Sequence, residues 1–251
     1  MKKTVFLLGS AVLLMAGITG CSDKLDDFSA PEVDTYFPTE VGKYIIYDLD
    51  STVPGQFGTD TIVRKYAVKE EVNALLSNEN EVKTYRIYRY ITDQARLNEF
   101  KPENTFAVIN NKNTNVQKVE DNLKYIKVQK PVRDYFEWPG NSYINSELNS
   151  SSPYAHLYGW KYRYENVGQP FTINGMTFDE TITVVQKDYE ELPEGPFNPN
   201  YYKSWNYSVE VYAKNVGMIY KHFAHLTWQV TPERAWEDGS FRVIMKIKEH
   251  N

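Results

Sequence analysis

Phe171-Thr172-Ile173-Asn174-Gly175-Met176-Thr177-Phe178 is the stretch that decides the fold class. A two-residue Asn-Gly loop favours the type I′ turn, whose central residues both take φ > 0; glycine does so freely and asparagine more readily than most residues. With that turn in place Thr172 faces Thr177 and Phe171 faces Phe178, two favourable cross-strand pairs. Turn chemistry and pairing therefore agree on an antiparallel hairpin.

The second arm runs on through residues 181–185, and the same period of two recurs along the chain. Tyr85, Ile87 and Ile91 alternate with Arg86, Tyr88 and Tyr90. Tyr207, Val209, Val211 and Ala213 alternate with Ser208, Glu210, Tyr212 and Lys214, and Phe241, Val243, Met245 and Ile247 with Arg242 and Lys246. Further short strands are predicted at 44–47, 61–68, 106–109, 116–119, 123–128 and 216–221. They are parted by turn-prone pairs such as Pro54-Gly55, Asn110-Asn111 and Asp121-Asn122. Residues 70–76 have helical propensity but are short and uncapped, which leaves strand or hairpin as the reading. Pro193, Pro196 and Pro199 mark residues 192–200 as a surface loop, and only residues 232–236 read as a helical turn. No strand alternates with a long amphipathic helix, so parallel α/β architectures are disfavoured. The expectation is an all-β chain with a single antiparallel β domain, either a sandwich or a curved, partly closed barrel.

Ahead of the strands, Met1-Lys2-Lys3 and the almost purely apolar run 5–18 have the layout of a secretory signal peptide. The run is too short for a good permanent span, which needs roughly 20 apolar residues. Ile18-Thr19-Gly20-Cys21 resembles the bacterial lipobox, in which an aliphatic residue, two small residues and a cysteine are cut just before the cysteine. The resemblance implies removal of residues 1–20 and a lipid on Cys21. The first partner is then the membrane itself: each buried CH₂ contributes about 0.8 kcal/mol, and two or more acyl chains hold a protein on a bilayer stably. The following Ser22-Asp23-Lys24-Leu25-Asp26-Asp27 resembles the acidic export signal that Bacteroidetes lipoproteins carry beside the cysteine, here interrupted by Lys24 and Leu25. Outer-membrane attachment with display at the cell surface is expected, with the periplasmic face as the alternative. Residues 21–36 read as an acidic tether and 37–251 as the β domain.

Removing residues 1–20 takes away two lysines and no acids, which leaves 26 basic against 33 acidic residues and a formal charge of −7. Such a surface has no electrostatic case for nucleic acid or for anionic lipid headgroups. With Cys21, the sole cysteine, committed to lipid, no disulfide can support the core. The fold has to be held by packing, and the 20 tyrosines and 12 phenylalanines supply material suited to strands.

Three stretches carry a wider resemblance. Residues 36–44 (Tyr-Phe-Pro-Thr-Glu-Val-Gly-Lys-Tyr), Trp138-Pro139-Gly140-Asn141, and residues 212–221 (Tyr-Ala-Lys-Asn-Val-Gly-Met-Ile-Tyr-Lys) are similar to a family of uncharacterised Bacteroidetes envelope lipoproteins. The resemblance spans nearly the whole chain after Cys21. It implies an antiparallel β domain on the envelope and brings no catalytic residues.

The sequence holds no Gly-x-Ser-x-Gly elbow, no phosphate-cradling glycine loop and no His-Glu-x-x-His, so neither a nucleophile nor a cofactor is called for. His222 and His225 are the one close histidine pair; on a strand they point to opposite faces, which argues against a metal site. Carboxylates are plentiful, but no catalytic pair can be named from sequence. Trp138, Tyr143, Tyr201, Tyr202 and Trp205 fall in or beside Pro-, Gly- and Asn-rich loops and are the candidate ligand contacts, since exposed rings beside amides and carboxylates suit sugar or protein recognition. Asp50-Ser51-Thr52 and Asp60-Thr61-Ile62 resemble the Bacteroidetes O-glycosylation sequon, which makes Ser51 and Thr61 candidate acceptors in a predicted loop. The leading expectation is a non-enzymatic binding or structural module with a glycan or envelope-protein partner. A lipid or acyl-chain carrier or assembly factor is the alternative, and a carboxylate-dependent glycan hydrolase a more remote one.

Overall fold

A computed structural model describes residues 31–144, 152–190 and 198–251. The signal peptide, Cys21, the acidic stretch after it and most of the proline-rich loop lie outside the described residues. The chain is all-β: its strands form one antiparallel sheet nearly closed into a barrel. In chain order they are β1 (Tyr44–Pro54), β2 (Thr61–Glu79), β3 (Val82–Asp93), β4 (Lys101–Asn111), β5 (Asn115–Glu120), β6 (Leu123–Gln129) and β7 (Glu137–Trp138), then β8 (Tyr162–Ile173), β9 (Met176–Glu190), β10 (Lys203–Ala213), β11 (Gly217–Gln229), β12 (Ala235–Trp236) and β13 (Phe241–His250). Around the barrel they follow the order β6-β5-β4-β3-β2-β1-β13-β11-β10-β9-β8-β7, with β12 paired onto β11. The barrel is thus the outcome between the two architectures that the alternation left open. Among the described residues no helix is long and apolar enough to cross a membrane.

The β8–β9 turn forms as its sequence dictates. Thr172 pairs with Thr177 and Phe171 with Phe178, the two threonine hydroxyls lie 3.0 Å apart, and Asn174 and Gly175 take φ of 49° and 77°. The tip folds onto the barrel: the Asn174 amide donates to the Ile247 carbonyl, and Phe171 meets Tyr220. Residues 70–76 belong to β2, the strand side of that reading. Residues 232–236, expected as a helical turn, instead carry β12, whose Trp236 and Ala235 pair with Trp228 and Gln229. Backbone pairing to an existing strand and the Trp228–Trp236 ring contact at 5.2 Å outweigh a weak local preference.

How the sheet closes follows from counting strands. Eleven long strands separate β6 from β8 inclusive, and an odd number in an antiparallel sheet leaves the two edges running the same way. Residues 135–140, which include β7, lie between those edges and run opposite to both. Tyr135 N–H donates to the Tyr164 carbonyl, Tyr164 N–H to Phe136, and Ile126 N–H to Gly140. Side chains complete the seam. The Trp138 indole donates to the Ile126 carbonyl at 2.9 Å, and the Tyr164 hydroxyl accepts from Gln129 N–H and donates to Gln129 C=O at 2.7 and 2.8 Å. Gly140 is required here, because a Cβ at that position would lie 2.4 Å from the Tyr162 ring.

One end of the barrel is filled by the chain's own entering segment. Val33 and Tyr36, inside the stretch read as tether, are fully buried among Val72, Tyr85, Val108 and Val128. Phe37 packs on Tyr212 at 5.6 Å, and Asn215 N–H donates to the Thr35 carbonyl. Two stretches that carried the family resemblance, 36–44 and 212–221, therefore meet at this plugged end, and Trp138-Pro139-Gly140-Asn141 forms the seam.

Candidate functional site

A layer of charged side chains crosses the barrel interior at mid-height. Strand alternation puts them there: Glu70 on β2, Arg89 on β3, Lys118 and Glu120 on β5, Lys127 on β6, Glu210 on β10 and Lys221 on β11 occupy inward register positions. Arg89 bonds Glu70 at 2.5 Å and Glu120 at 2.6 Å, and Lys118 bonds Glu120 at 2.8 Å. Lys127 spans the barrel to reach both oxygens of Glu210 at 2.8 and 2.7 Å. Gln186 and the Tyr212 hydroxyl also donate to Glu210, and Ser208 donates to Gln186. Glu210, 1% exposed, thus has every close neighbour a donor.

These contacts decide the protonation states. Burial alone would raise the Glu210 carboxyl, but Lys127, Lys221 and the hydrogen bonds bring it down to about 2. Glu120 is likewise driven well below the carboxylate range by Lys118, Arg89 and Lys221 against the cost of burial. Burial pushes the Lys127 ammonium down to about 8 although Glu210 holds it charged. At neutral pH Arg89, Glu120, Lys127 and Glu210 are therefore charged.

The layer separates two spaces of unequal size. Toward the plugged end only about 80 Å³ is left, between Phe37, Tyr47 and Tyr212. Toward the other end lies a cavity of about 650 Å³ that opens at a mouth beside Tyr154, Glu237 and Phe241. Its walls are rings: Tyr125, His156, Trp160, Phe223, His225 and Phe241. Phe223 meets Phe241 edge-on at 4.8 Å and Trp160 at 5.8 Å, and His156 stacks on His225 at 4.0 Å. Burial, reinforced by His225, pushes His156 down to about 4, and burial also lowers His225, so both imidazoles are neutral at pH 7. His222 points the other way along β11, against Trp205 and Tyr207, the opposition of faces that a strand requires. No group of three metal-ligating side chains occurs among the described residues.

No protein-family profile matches the chain, and no curated protein is found similar to it. Among solved structures it is similar to a candidate lipoprotein from Parabacteroides distasonis ATCC 8503, with 8% identity over 86% of this chain and 98% of that chain and a TM-score of 0.34. It is also similar to a candidate exported protein with a YmcC-like fold from Bacteroides fragilis NCTC 9343, with 11% identity over 84% of this chain and 98% of that one and a TM-score of 0.31.

None of the five aromatic residues singled out from the sequence lines the cavity. Trp138 is 3% exposed and is held in the seam by its indole bond and by Tyr164, whose ring centre is 4.5 Å away. That corrects its reading as a loop contact: the Pro-Gly beside it serves a tight approach to Tyr162. Tyr143 and Tyr201 are exposed, as is Tyr202, and the Lys124 ammonium sits 4.2 Å over the Tyr143 ring. Trp205 lies half-buried on the outer face of β10, 5.9 Å from Tyr207. Of the two glycosylation candidates, Ser51 lies inside β1, paired with Arg64 and Val243 on both flanks, so the predicted loop is absent there. Thr61 opens β2 and is exposed beside the turn.

The charged layer is what sequence reasoning missed. Ser208, Glu210 and Tyr212 look like the polar face of an alternating strand, yet both faces of that part of β10 are buried. Arg89 was the available signal: it shares the inward face of β3 with Tyr85, Ile87 and Ile91, where a charge has to find a buried partner.

Proposed function

We propose that this chain is an envelope lipoprotein held at the outer membrane by lipid on Cys21, and that it acts as a non-enzymatic binding module whose ligand enters the ring-walled cavity. The observation that carries the reading is the cavity of about 650 Å³, within the roughly 300–1,000 Å³ usual for small-molecule sites. Rings, charged groups, one amide and hydroxyls predominate in its lining beside Leu123 and Leu157, a mixture that suits a glycan better than an acyl chain, which would ask for mainly aliphatic walls. The acyl-chain carrier reading keeps the cavity in its favour and loses on its lining. Hydrolysis by paired carboxylates needs an acid whose pKa is raised, whereas Glu120 on the cavity floor and Glu210 in the layer beneath it are driven the opposite way.

The test is a glycan array probed with the chain from residue 22 onward and with its Phe223→Ala variant. Binding that is lost in the variant supports the reading, and a signal indifferent to Phe223 sinks it. The anchor is checked separately: Cys21→Ala should release the protein from the membrane fraction, and an unchanged partition would remove the lipid.

A further inference from the structure

Lys221 stands apart from the other interior cations. Arg89, Lys118 and Lys127 each have a carboxylate oxygen within 2.8 Å. The nearest carboxylate to the Lys221 ammonium is Glu210, at 3.7 Å, and the oxygen it faces is already held by Lys127. Lys221 donates no hydrogen bond among the described residues. Its side chain is 22% exposed, and it lines both interior spaces. Lys127 repels it, as the Lys221 contribution to lowering the Lys127 ammonium shows. An ammonium with three unused donors at the floor of a cavity is a half-made ion pair.

The surroundings restrict what can complete that pair. Phe223, next inward residue on β11, puts its ring 5.8 Å from the Lys221 nitrogen, and Phe241 and Trp160 continue the ring wall toward the mouth. Gln186 and Ser208 bring an amide and a hydroxyl to the same floor. A multiply charged anionic head would be repelled by Glu120 and Glu210, which are held as anions. A single carboxylate on a ring that offers both C–H faces and hydroxyls fits the set.

Resting on the binding reading above, we propose that the cavity is a site for a carboxylated sugar, a uronic or sialic acid unit, with its carboxylate on Lys221 and its ring against Phe223 and Phe241. Charge-assisted hydrogen bonding to one ammonium sets the expected preference over the neutral sugar at about tenfold or more.

Saturation-transfer NMR and calorimetry with glucuronic, galacturonic and N-acetylneuraminic acid, each against a neutral counterpart, test this on the chain from residue 22 onward. Expected is binding of at least one acid with that preference, a loss of preference to within about twofold in Lys221→Gln, and its retention in Lys221→Arg. Circular dichroism and thermal melting establish that each variant folds. Equal binding of acidic and neutral sugars, or a preference unaltered in a folded Lys221→Gln, overturns the carboxylate inference while leaving the glycan reading standing. Silence from every sugar overturns both, and palmitate binding that depends on Phe223 would give the cavity to the acyl-chain alternative.

Discussion

At one end of the barrel Val33 and Tyr36 fill the space between the strands, and at the other the space among Tyr125, Phe223 and Phe241 stays open. Both ends draw on inward residues of β5, β6, β10, β11 and β13, and the connections add to the difference between them. The segment before β1 supplies apolar bulk to one end, while residues 152–160 together with Glu237 and Gly239 line the other. Between them lies the charged layer, whose Lys118, Lys127 and Lys221 face both spaces. The comparison teaches that stability and ligand access are placed at opposite ends of one sheet, and substitutions should separate them.

The largest effect is expected at the divide. Glu210→Ala leaves the buried Lys127 ammonium without its partner and should cost about 3–5 kcal/mol in urea unfolding, whereas Lys127→Met combined with Glu210→Leu should recover most of that. A single variant as stable as the parent would mean that the layer is held by something other than this pair. At the plugged end, Tyr36→Ala removes a fully buried ring and should cost about 3 kcal/mol by the same measurement.

Acid should act on the divide as well. Glu210 and Glu120 have folded pKa values below their unfolded ones, so their contribution is complete above about pH 4.5 and is lost as pH falls toward 2. For Glu210 alone that is on the order of 3 kcal/mol. Melting followed from pH 6 to pH 3 should fall steeply in the parent and more gently in Glu210→Gln. At the seam, Tyr164→Phe strips Gln129 of partners for both its N–H and its C=O and should cost about 1–3 kcal/mol. The smallest change is expected at the mouth, where Tyr154→Ala should shift stability by no more than about 0.5 kcal/mol. A mouth substitution as costly as the one at Tyr36 would erase the contrast between the ends.

The parts of this architecture that were legible in the sequence are those that local chemistry decides. Asn174-Gly175 forces its turn and thereby the pairing of its neighbours, and the alternation in β3 and β13 places Ile87, Met245 and Ile247 inside. What remained hidden depends on partners far along the chain. Lys127 and Glu210 are 83 residues apart and meet only because the sheet curls round, so neither looks remarkable within its own strand. The burial of Trp138 was hidden for a related reason. Loop composition says that Trp138 lies near a turn, but not that the turn brings it back under Tyr162 and Tyr164.

The Tyr164 hydroxyl has one more consequence. An unpaired strand edge invites another chain to add to it, and the hazard grows where copies are crowded together. At the seam a phenol stands where the next strand's peptide would be, accepting from the Gln129 N–H and donating to the Gln129 C=O that would otherwise face a neighbour. At Gln129 one ring thus does what a further strand would have done, as Gly140 and the Trp138 indole do at Ile126, and together they withhold from passing chains a template on which to grow.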